Sequence, residues 1–170
     1  TQNPFFVRTA SDDGSQAKPI AAMVQAYGWH EVVLLYEDTE FGSGLIPYLV
    51  DEFQQFDIQV SSRFSISPTS SNLNILKKLN KVMAMQTRVI VVHMTSSLGS
   101  KLFLLAKEAN MISEGYAWII TDGLSSLLDP MGAEVIGSMQ SVLGVSHTYH
   151  SPKDLRILKG DGTVGVGLVR

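Results

Sequence analysis

The sequence predicts an α/β domain in which a mostly parallel sheet is flanked by helices. Short apolar runs rich in β-branched residues recur at residues 32–35, 88–94 and 117–121. Each is too short for a helix and suits a buried central strand. Apolar residues at helical spacing lie between these runs. Such alternation requires crossover connections, which join parallel strands and are nearly always right-handed.

Four helices are predicted from apolar residues that repeat three and four positions apart, the spacing that places them on one helix face. Gly28 is placed to end the first helix. The apolar positions are Ile20, Met23, Val24 and Tyr27 in the first helix, Leu45, Ile46, Leu49, Phe53 and Phe56 in the second, Leu76, Leu79 and Met83 in the third, and Leu98, Leu102, Leu105, Ala106 and Ala109 in the fourth.

Two further strands are predicted beside the three buried ones. Residues 58–66 alternate between apolar and polar side chains, as in a strand with one exposed face. Residues 141–146 are predicted to form the fifth strand. From residue 151 to 170 the pattern changes, with glycines close together and no helical stripe. We therefore expect a packed domain over residues 1–150 and an irregular, aberrant tail over residues 151–170.

The composition of the 170 residues is that of a well-buried globular domain, with 45% hydrophobic and 17% charged residues. The net charge is −3 and basic residues form no cluster, which argues against nucleic acid as a partner. Cysteine is absent, so thiol catalysis and disulfides are excluded. No run has the length of a transmembrane helix, and the opening residues suggest a piece of a longer protein.

Two glycine motifs resemble enzyme signatures but lack the required context. Gly160, Gly162 and Gly165 have the spacing of a nucleotide-binding loop, yet the chain stops at Arg170, before the helix and acid that such a site needs. Gly42 and Gly44 flank Ser43 directly, whereas a nucleophile elbow places them two residues away. The sequence therefore predicts no catalytic residue, no cofactor and no enzyme.

Carboxylates and one aromatic ring lie where parallel strands end, which is the edge at which open α/β sheets meet ligands. Glu37, Asp38 and Phe41 follow the first buried strand, together with Glu40. Glu37, Asp38 and Glu40 suit a general-acid cluster, a divalent-cation site or an exposed acidic turn. Asp122 follows the strand at 117–121 and suits either the binding of a cationic group or the capping of a helix.

The histidines are scattered along the chain. His93 lies inside an apolar strand, which favours a hydrogen-bonded core residue. His147 and His150 are three residues apart without a third ligand nearby, so no metal site is predicted.

Several ordered motifs resemble the receptor ligand-binding region of type I periplasmic-binding-protein fold, and three of them narrow the resemblance to the amino-terminal domain of plant glutamate receptor-like channels. The resemblance covers about residues 1–150. The general motifs are residues 5–10 (FFVRTA), 12–16 (DDGSQ), 27–29 (YGW) and 37–42 (EDTEFG), and the narrowing motifs are residues 85–94 (MQTRVIVVHM), 114–123 (EGYAWIITDG) and 139–145 (MQSVLGV).

The resemblance implies mainly the second lobe of a two-lobed extracellular domain that closes around a small amino-acid-like ligand, with residues 4–15 and 144–150 as hinge crossings. In related metabotropic receptors, an aromatic residue at the Phe41 position and an acid at the Asp122 position contact the bound amino acid. Both residue types suit that task, since a ring packs against the ligand and a carboxylate pairs with its ammonium group. Phe41 lacks the phenolic hydroxyl of those relatives, and the tail after Pro152 departs from the family's basic, aromatic helix, which indicates truncation or a misread gene end.

The favoured function is therefore a ligand-sensing lobe of a ligand-gated ion channel, on the extracellular side of the plasma membrane. Phe41, Asp122, Glu37 and Asp38 are the expected ligand-binding residues. The expected partners are an amino-acid-like ligand and other receptor subunits, with membrane contact only through downstream segments. The alternative is a soluble solute-binding protein for amino-acid uptake, which would have no downstream membrane spans.

Overall fold

A computed structural model describes residues 13–112, 115–121 and 124 of the chain, together with the backbone of three further strands. Within these residues, a 3₁₀ turn at Asp13–Gln16 leads into the helices α1 (Ala17–Ala26), α2 (Glu40–Gly44), α3 (Ile46–Gln55), α4 (Asn72–Met83) and α5 (Ser96–Glu108). The strands are β1 (Glu31–Glu37), β2 (Gln59–Ile66), β3 (Val89–His93), β4 (Ala117–Ile120), β5 (Val142–His147), β6 (Leu155–Leu158) and β7 (Val164–Gly167).

The described strands form one sheet in the order β2-β1-β3-β4-β5-β6-β7. The first five strands in this order run parallel to their neighbours, while β6 pairs antiparallel with β5 and β7 antiparallel with β6. The predicted mostly parallel α/β architecture is confirmed. The expected irregular tail differs from the structure, because β6 and β7 extend the sheet beyond residue 151. The division of the chain at residue 150 stays a prediction.

Helices cover both faces of the sheet, so the central strands are apolar on both sides. Alternate residues of β1 contribute to two separate clusters, with Val33 and Leu35 on one side and Val32 and Leu34 on the other. The first cluster packs against α4 and α5, and the second against α1 and α3. Burial on both faces explains why β1 and β3 read as continuous apolar runs.

Two predicted helix faces need correction. The buried residues of α4 are Ile75, Leu79 and Val82, whereas Met83 is exposed, so the true stripe is turned by one residue from the predicted one. Tyr27 lies after α1 and is half exposed, although it continues the spacing of the α1 stripe. The helix ends before Tyr27, and Gly28 follows with a φ of +73°, as predicted for a terminating glycine.

Strand β2, which lies at the edge of the sheet among the described strands, contains a bulge near its start. Val32 of β1 pairs with Val60 and Val33 pairs with Ser62, so Ser61 is the extra residue. The Ser61 hydroxyl donates to the Val32 carbonyl over 3.2 Å and also lies 3.1 Å from the Thr87 hydroxyl. The irregular ladder is thus closed by side chains instead of by the regular backbone pairing.

Candidate functional site

The carboxyl ends of three neighbouring strands bring three polar side chains to one edge of the sheet. Glu37 ends β1, His93 ends β3 and Thr121 directly follows β4. Tyr36 pairs with His93, and Val92 pairs with Ile120, so the three residues lie almost level across the sheet. All three are buried, at 4%, 1% and 0% exposure respectively. Buried polar groups require hydrogen-bond partners, and these residues find theirs in the adjoining loops.

His93 lies between the loop that follows β1 and the end of β4. Its Nδ1 is 2.7 Å from the Thr121 hydroxyl, and its Nε2 is 3.1 Å from the backbone carbonyl oxygen of Phe41. The imidazole also contacts the Phe41 ring, with 4.6 Å between ring centroids and 38° between planes. The prediction of a hydrogen-bonded core histidine is confirmed.

Glu37 ties the end of β1 to the start of α5. One carboxylate oxygen accepts hydrogen bonds from the backbone N–H of Thr95 at 2.9 Å and from its hydroxyl at 2.7 Å. The Thr39 hydroxyl lies 3.4 Å from the other oxygen. Thr95 is the N-cap of α5, so the negative charge also stands at the favourable end of the helix dipole. These hydrogen bonds join Glu37 to other residues of the protein. A contact between Glu37 and a ligand therefore stays a prediction.

The short helix α2 rests directly on the end of β1, and it places Phe41. The Thr39 side chain caps α2 by accepting from the Gly42 N–H at 3.1 Å. A Cβ atom at Gly42 would lie 1.9 Å from the Glu37 carbonyl oxygen, so only glycine permits this approach. The Phe41 side chain is 38% exposed, with its ring against His93. A partly exposed ring therefore stands at the edge where ligands of α/β sheets bind.

Of the other two predicted ligand-binding residues, the structure describes Asp38 but not Asp122. The Asp38 side chain is exposed, and its backbone N–H donates to the Ile66 carbonyl at 2.8 Å, which joins the β1 loop to the end of β2. Asp122 lies outside the described residues, although Thr121 directly precedes it. The structure thus brings Glu37, Asp38 and Phe41 together on one loop, while the contribution of Asp122 stays a prediction.

A second hydroxyl-rich loop follows β2 at the same end of the sheet. The hydroxyls of Ser67 and Thr69 are 3.0 Å apart. Two lysines hold this region, since the Lys101 ammonium donates to the Ser70 carbonyl at 2.9 Å and the Lys78 ammonium donates to the Ser65 carbonyl. The loop is therefore anchored to both α4 and α5.

Sequence reasoning missed Thr95 and Thr121 as parts of this edge. The signal was present in the sequence, because both are hydroxyl residues close to the end of an apolar strand. Thr121 directly follows β4, and Thr95 lies two residues after β3. A polar residue that ends an apolar strand in a parallel sheet is placed at the ligand edge by the topology alone.

The described residues contain no group of three or more His, Asp or Glu side chains that could hold a metal ion. His147 and His150, the pair considered from the sequence, lie outside the side chains that the structure describes. The Ser43 hydroxyl donates to the Thr39 carbonyl at 2.7 Å and serves α2. A search of the described helices finds none with the length and apolar character needed to cross a bilayer.

Comparison with known proteins gives one family and several relatives. The receptor family ligand binding region matches residues 1–157 of this chain. The chain is similar to Glutamate receptor 2.6 of Arabidopsis thaliana, at 42% identity over 93% of this chain and 16% of the relative. It is also similar to Glutamate receptor 2.5, at 44% identity over 91% and 17%, and to Glutamate receptor 2.7, at 45% identity over 91% and 16%, both of the same plant. The chain thus spans about a sixth of the length of these relatives.

Proposed function

This chain belongs to the receptor family ligand binding region, and we propose that it forms one lobe of a two-lobed sensor that closes around a small amino-acid-like ligand. Membership of this family makes it a receptor module and not an enzyme, and its likeness to glutamate receptors of Arabidopsis thaliana bears out the resemblance seen in the sequence. The proposal extends this to the ligand, the binding residues and the whole receptor.

The observation that carries the proposal is the position of Phe41. The ring is partly exposed at the carboxyl edge of a parallel sheet, and it rests on a buried histidine that also contacts the residue before Asp122. An aromatic ring supplies contact area for the aliphatic part of an amino acid at small cost in side-chain entropy. The Asp122 carboxylate would pair with the ligand's α-ammonium group.

The two acids beside Phe41 have different tasks in this proposal. Asp38 is exposed and forms the rim of the cleft, where it favours ligands that carry an ammonium group. Glu37 is buried and bound to Thr95, so it supports the loop and reaches a ligand only through the groups that it orders. L-glutamate is the first ligand to test because the relatives are named glutamate receptors.

The whole protein is proposed to be a ligand-gated ion channel of the plasma membrane, with this lobe on the extracellular side. Other receptor subunits are its proposed partners. The binding of this lobe to an amino acid is expected to require the complementary first lobe, because a single lobe offers only one wall of the cleft. Tight binding of L-glutamate or another amino acid by this chain alone, measured by calorimetry, would contradict that requirement.

The test is calorimetric titration of the two-lobed region with L-glutamate and a panel of other L-amino acids. Replacing Phe41 by Ala should weaken binding about tenfold or more, the usual cost of removing an aromatic anchor from a site. Tyr27→Ala is the matched control, since Tyr27 is also a half-exposed aromatic residue but lies before β1, at the opposite end of the sheet. Equal affinities of the two variants, or no binding by the unaltered protein, would refute the proposal.

A further inference from the structure

His93 connects the two chain segments that are expected to carry ligand contacts. Its Nε2 bonds to the Phe41 carbonyl on the β1 loop, and its Nδ1 bonds to Thr121 at the end of β4. Phe41 and Thr121 are 80 positions apart in the sequence. The side chain of His93 is 1% exposed, so bulk water does not compete for either hydrogen bond.

The chemistry of the Phe41 carbonyl fixes the role of one ring nitrogen. A backbone carbonyl oxygen can only accept, so the proton must lie on Nε2, which donates to Phe41. Nδ1 lies within hydrogen-bond distance of the Thr121 hydroxyl, a group that can donate or accept. Nε2 thus holds the Phe41 backbone, while Nδ1 ties the same ring to the end of β4.

We propose that His93 is a positioning residue, which holds the Phe41 ring in the cleft and links its pose to the end of β4. The hydrogen bond to the Phe41 carbonyl fixes the backbone of α2, while the imidazole face supports the ring at 4.6 Å. Gly42 makes this support effective, since it lets α2 lie against the carbonyl of Glu37. The effect on ligand affinity rests on the proposed function, whereas the effect on Phe41 does not.

Two substitutions of His93 distinguish the effect of the hydrogen bond to Phe41 from the effect of having any polar side chain at this position. A glutamine amide reaches about as far as Nε2, so His93→Gln should keep the donor to the Phe41 carbonyl. Asparagine is one methylene shorter and reaches only as far as Nδ1, so His93→Asn should lose that donor while it retains a polar group near Thr121. A purely structural role would make both variants equally poor.

The hydroxyl of Thr121 offers an independent pair of variants that leave the imidazole in place. Thr121→Val removes the hydroxyl with little change in shape, and Thr121→Ser keeps it. The valine variant should loosen the hold on the imidazole, because the hydrogen bond between Nδ1 and the Thr121 hydroxyl is lost. The serine variant should behave like the unaltered chain.

The first measurement uses nuclear magnetic resonance of the 170-residue chain, with labelled histidine and phenylalanine. We expect a His93 ring with a proton on Nε2, and Phe41 ring signals that shift in His93→Asn and Thr121→Val but not in His93→Gln or Thr121→Ser. A ring without a proton on Nε2, or Phe41 signals that stay unchanged in all four variants, would overturn the inference. If the His93 variants fail to fold, the Thr121 pair decides in the same way.

The second measurement is calorimetry of the two-lobed region with L-glutamate and the panel of L-amino acids. His93→Asn should bind about tenfold more weakly, the size expected for a lost buried hydrogen bond, and His93→Gln should remain within roughly threefold of the unaltered protein. Equal affinity of the asparagine variant and the unaltered protein would refute the positioning role. If the unaltered protein binds no amino acid, the proposed function fails. The resonance signals of the Phe41 ring then decide alone whether His93 positions that ring.

Discussion

At the carboxyl end of the sheet, Glu37 and His93 are buried and join distant parts of the chain, whereas the contacts of Tyr27 and Arg88 at the amino end are open to water. Glu37 and His93 each bond to groups on other loops while almost fully buried. At the opposite end, Tyr27 stacks on Trp29 at 4.7 Å while half exposed, and the exposed Arg88 lies 5.0 Å from the centre of the Tyr116 ring. The contacts of the two ends thus differ in their exposure to water.

The difference teaches which contacts hold the site. In water, a broken hydrogen bond is replaced by a bond to solvent, so its net contribution is small. In a dry environment, removal of one partner leaves the other unsatisfied, which costs much more. The buried contacts of the carboxyl end should therefore be sensitive to single substitutions, and the exposed contacts of the amino end tolerant.

The largest effect is expected for Glu37→Ala. The change removes the buried carboxylate that accepts two hydrogen bonds from Thr95, and the N-cap of α5 loses its tie to the end of β1. The free energy of unfolding should fall by about 3 kcal/mol, measured by urea denaturation at neutral pH. Asp38→Ala is the neighbouring control, and this exposed position should change stability by no more than about 0.5 kcal/mol. Equal losses at both positions would contradict the contrast between buried and open groups.

A smaller loss is expected for Gly42→Ala. The new methyl group would meet the Glu37 carbonyl oxygen, so α2 must move away from the end of β1. Overpacking of this kind costs about 2 kcal/mol, to be measured by the same denaturation experiment. Gly44→Ala in the same helix meets nothing within 4 Å and should stabilise the chain by about 0.5 kcal/mol. A stabilising effect at both glycines would show that α2 is not held against β1.

At the amino end, Arg88→Met should cost only about 1 kcal/mol. Arg88 donates to the carbonyls of Met83 and Met85 and lies over the Tyr116 ring, but it does so in contact with water. Lys77→Met, at an exposed position of α4, is the control for loss of a positive charge and should be neutral within about 0.5 kcal/mol. A loss for Arg88→Met as large as that for Glu37→Ala would remove the distinction between the two ends.

The smallest effect concerns Glu31, at the start of β1. The hydroxyl of Thr87 chiefly, and that of Ser61 next, lower the pKa of the Glu31 carboxyl below its ordinary value of 4.5, while burial opposes them. The charged form is thus favoured by folding, so its contribution is present above pH 4.5 and is lost as the pH falls through the lower folded pKa.

The Thr87→Val variant tests this effect by removing the first of the two hydroxyls. The pKa of Glu31 should rise toward its ordinary value, as followed by the carboxyl carbon resonance during an acid titration. Thr69→Val serves as the control, since Thr69 is an exposed loop residue at the other end of the sheet. An unchanged Glu31 titration in Thr87→Val would rule out the hydroxyl as the cause.

Most of the sheet was predictable because burial on both faces leaves a plain pattern. The apolar runs of β1, β3 and β4 were assigned correctly, since no other short element buries consecutive residues. The predicted buried face of α4 was wrong by one residue. Ile75 and Leu76 are both apolar, and their spacing alone does not say which one points to the sheet. Only packing against β1 and β3 decides it.

The site was partly predictable for a related reason. Topology alone placed Phe41 and the acids at the carboxyl edge, and the burial and hydrogen bonding of His93 followed from its apolar surroundings. The sequence carries no sign that Glu37 turns inward to Thr95, because the two residues are 58 positions apart and meet only when β1 and β3 pair. Long-range partners of this kind require the assembled sheet.

The bulged strand β2 has a consequence for solubility. An edge strand with a regular, apolar ladder is a template for pairing with another molecule and thus for aggregation. In β2 the extra residue Ser61 breaks the regular ladder, and the exposed Arg63 places a charge farther along the same strand. Both features disfavour strand addition from a second chain. This edge should therefore remain inert at high protein concentration.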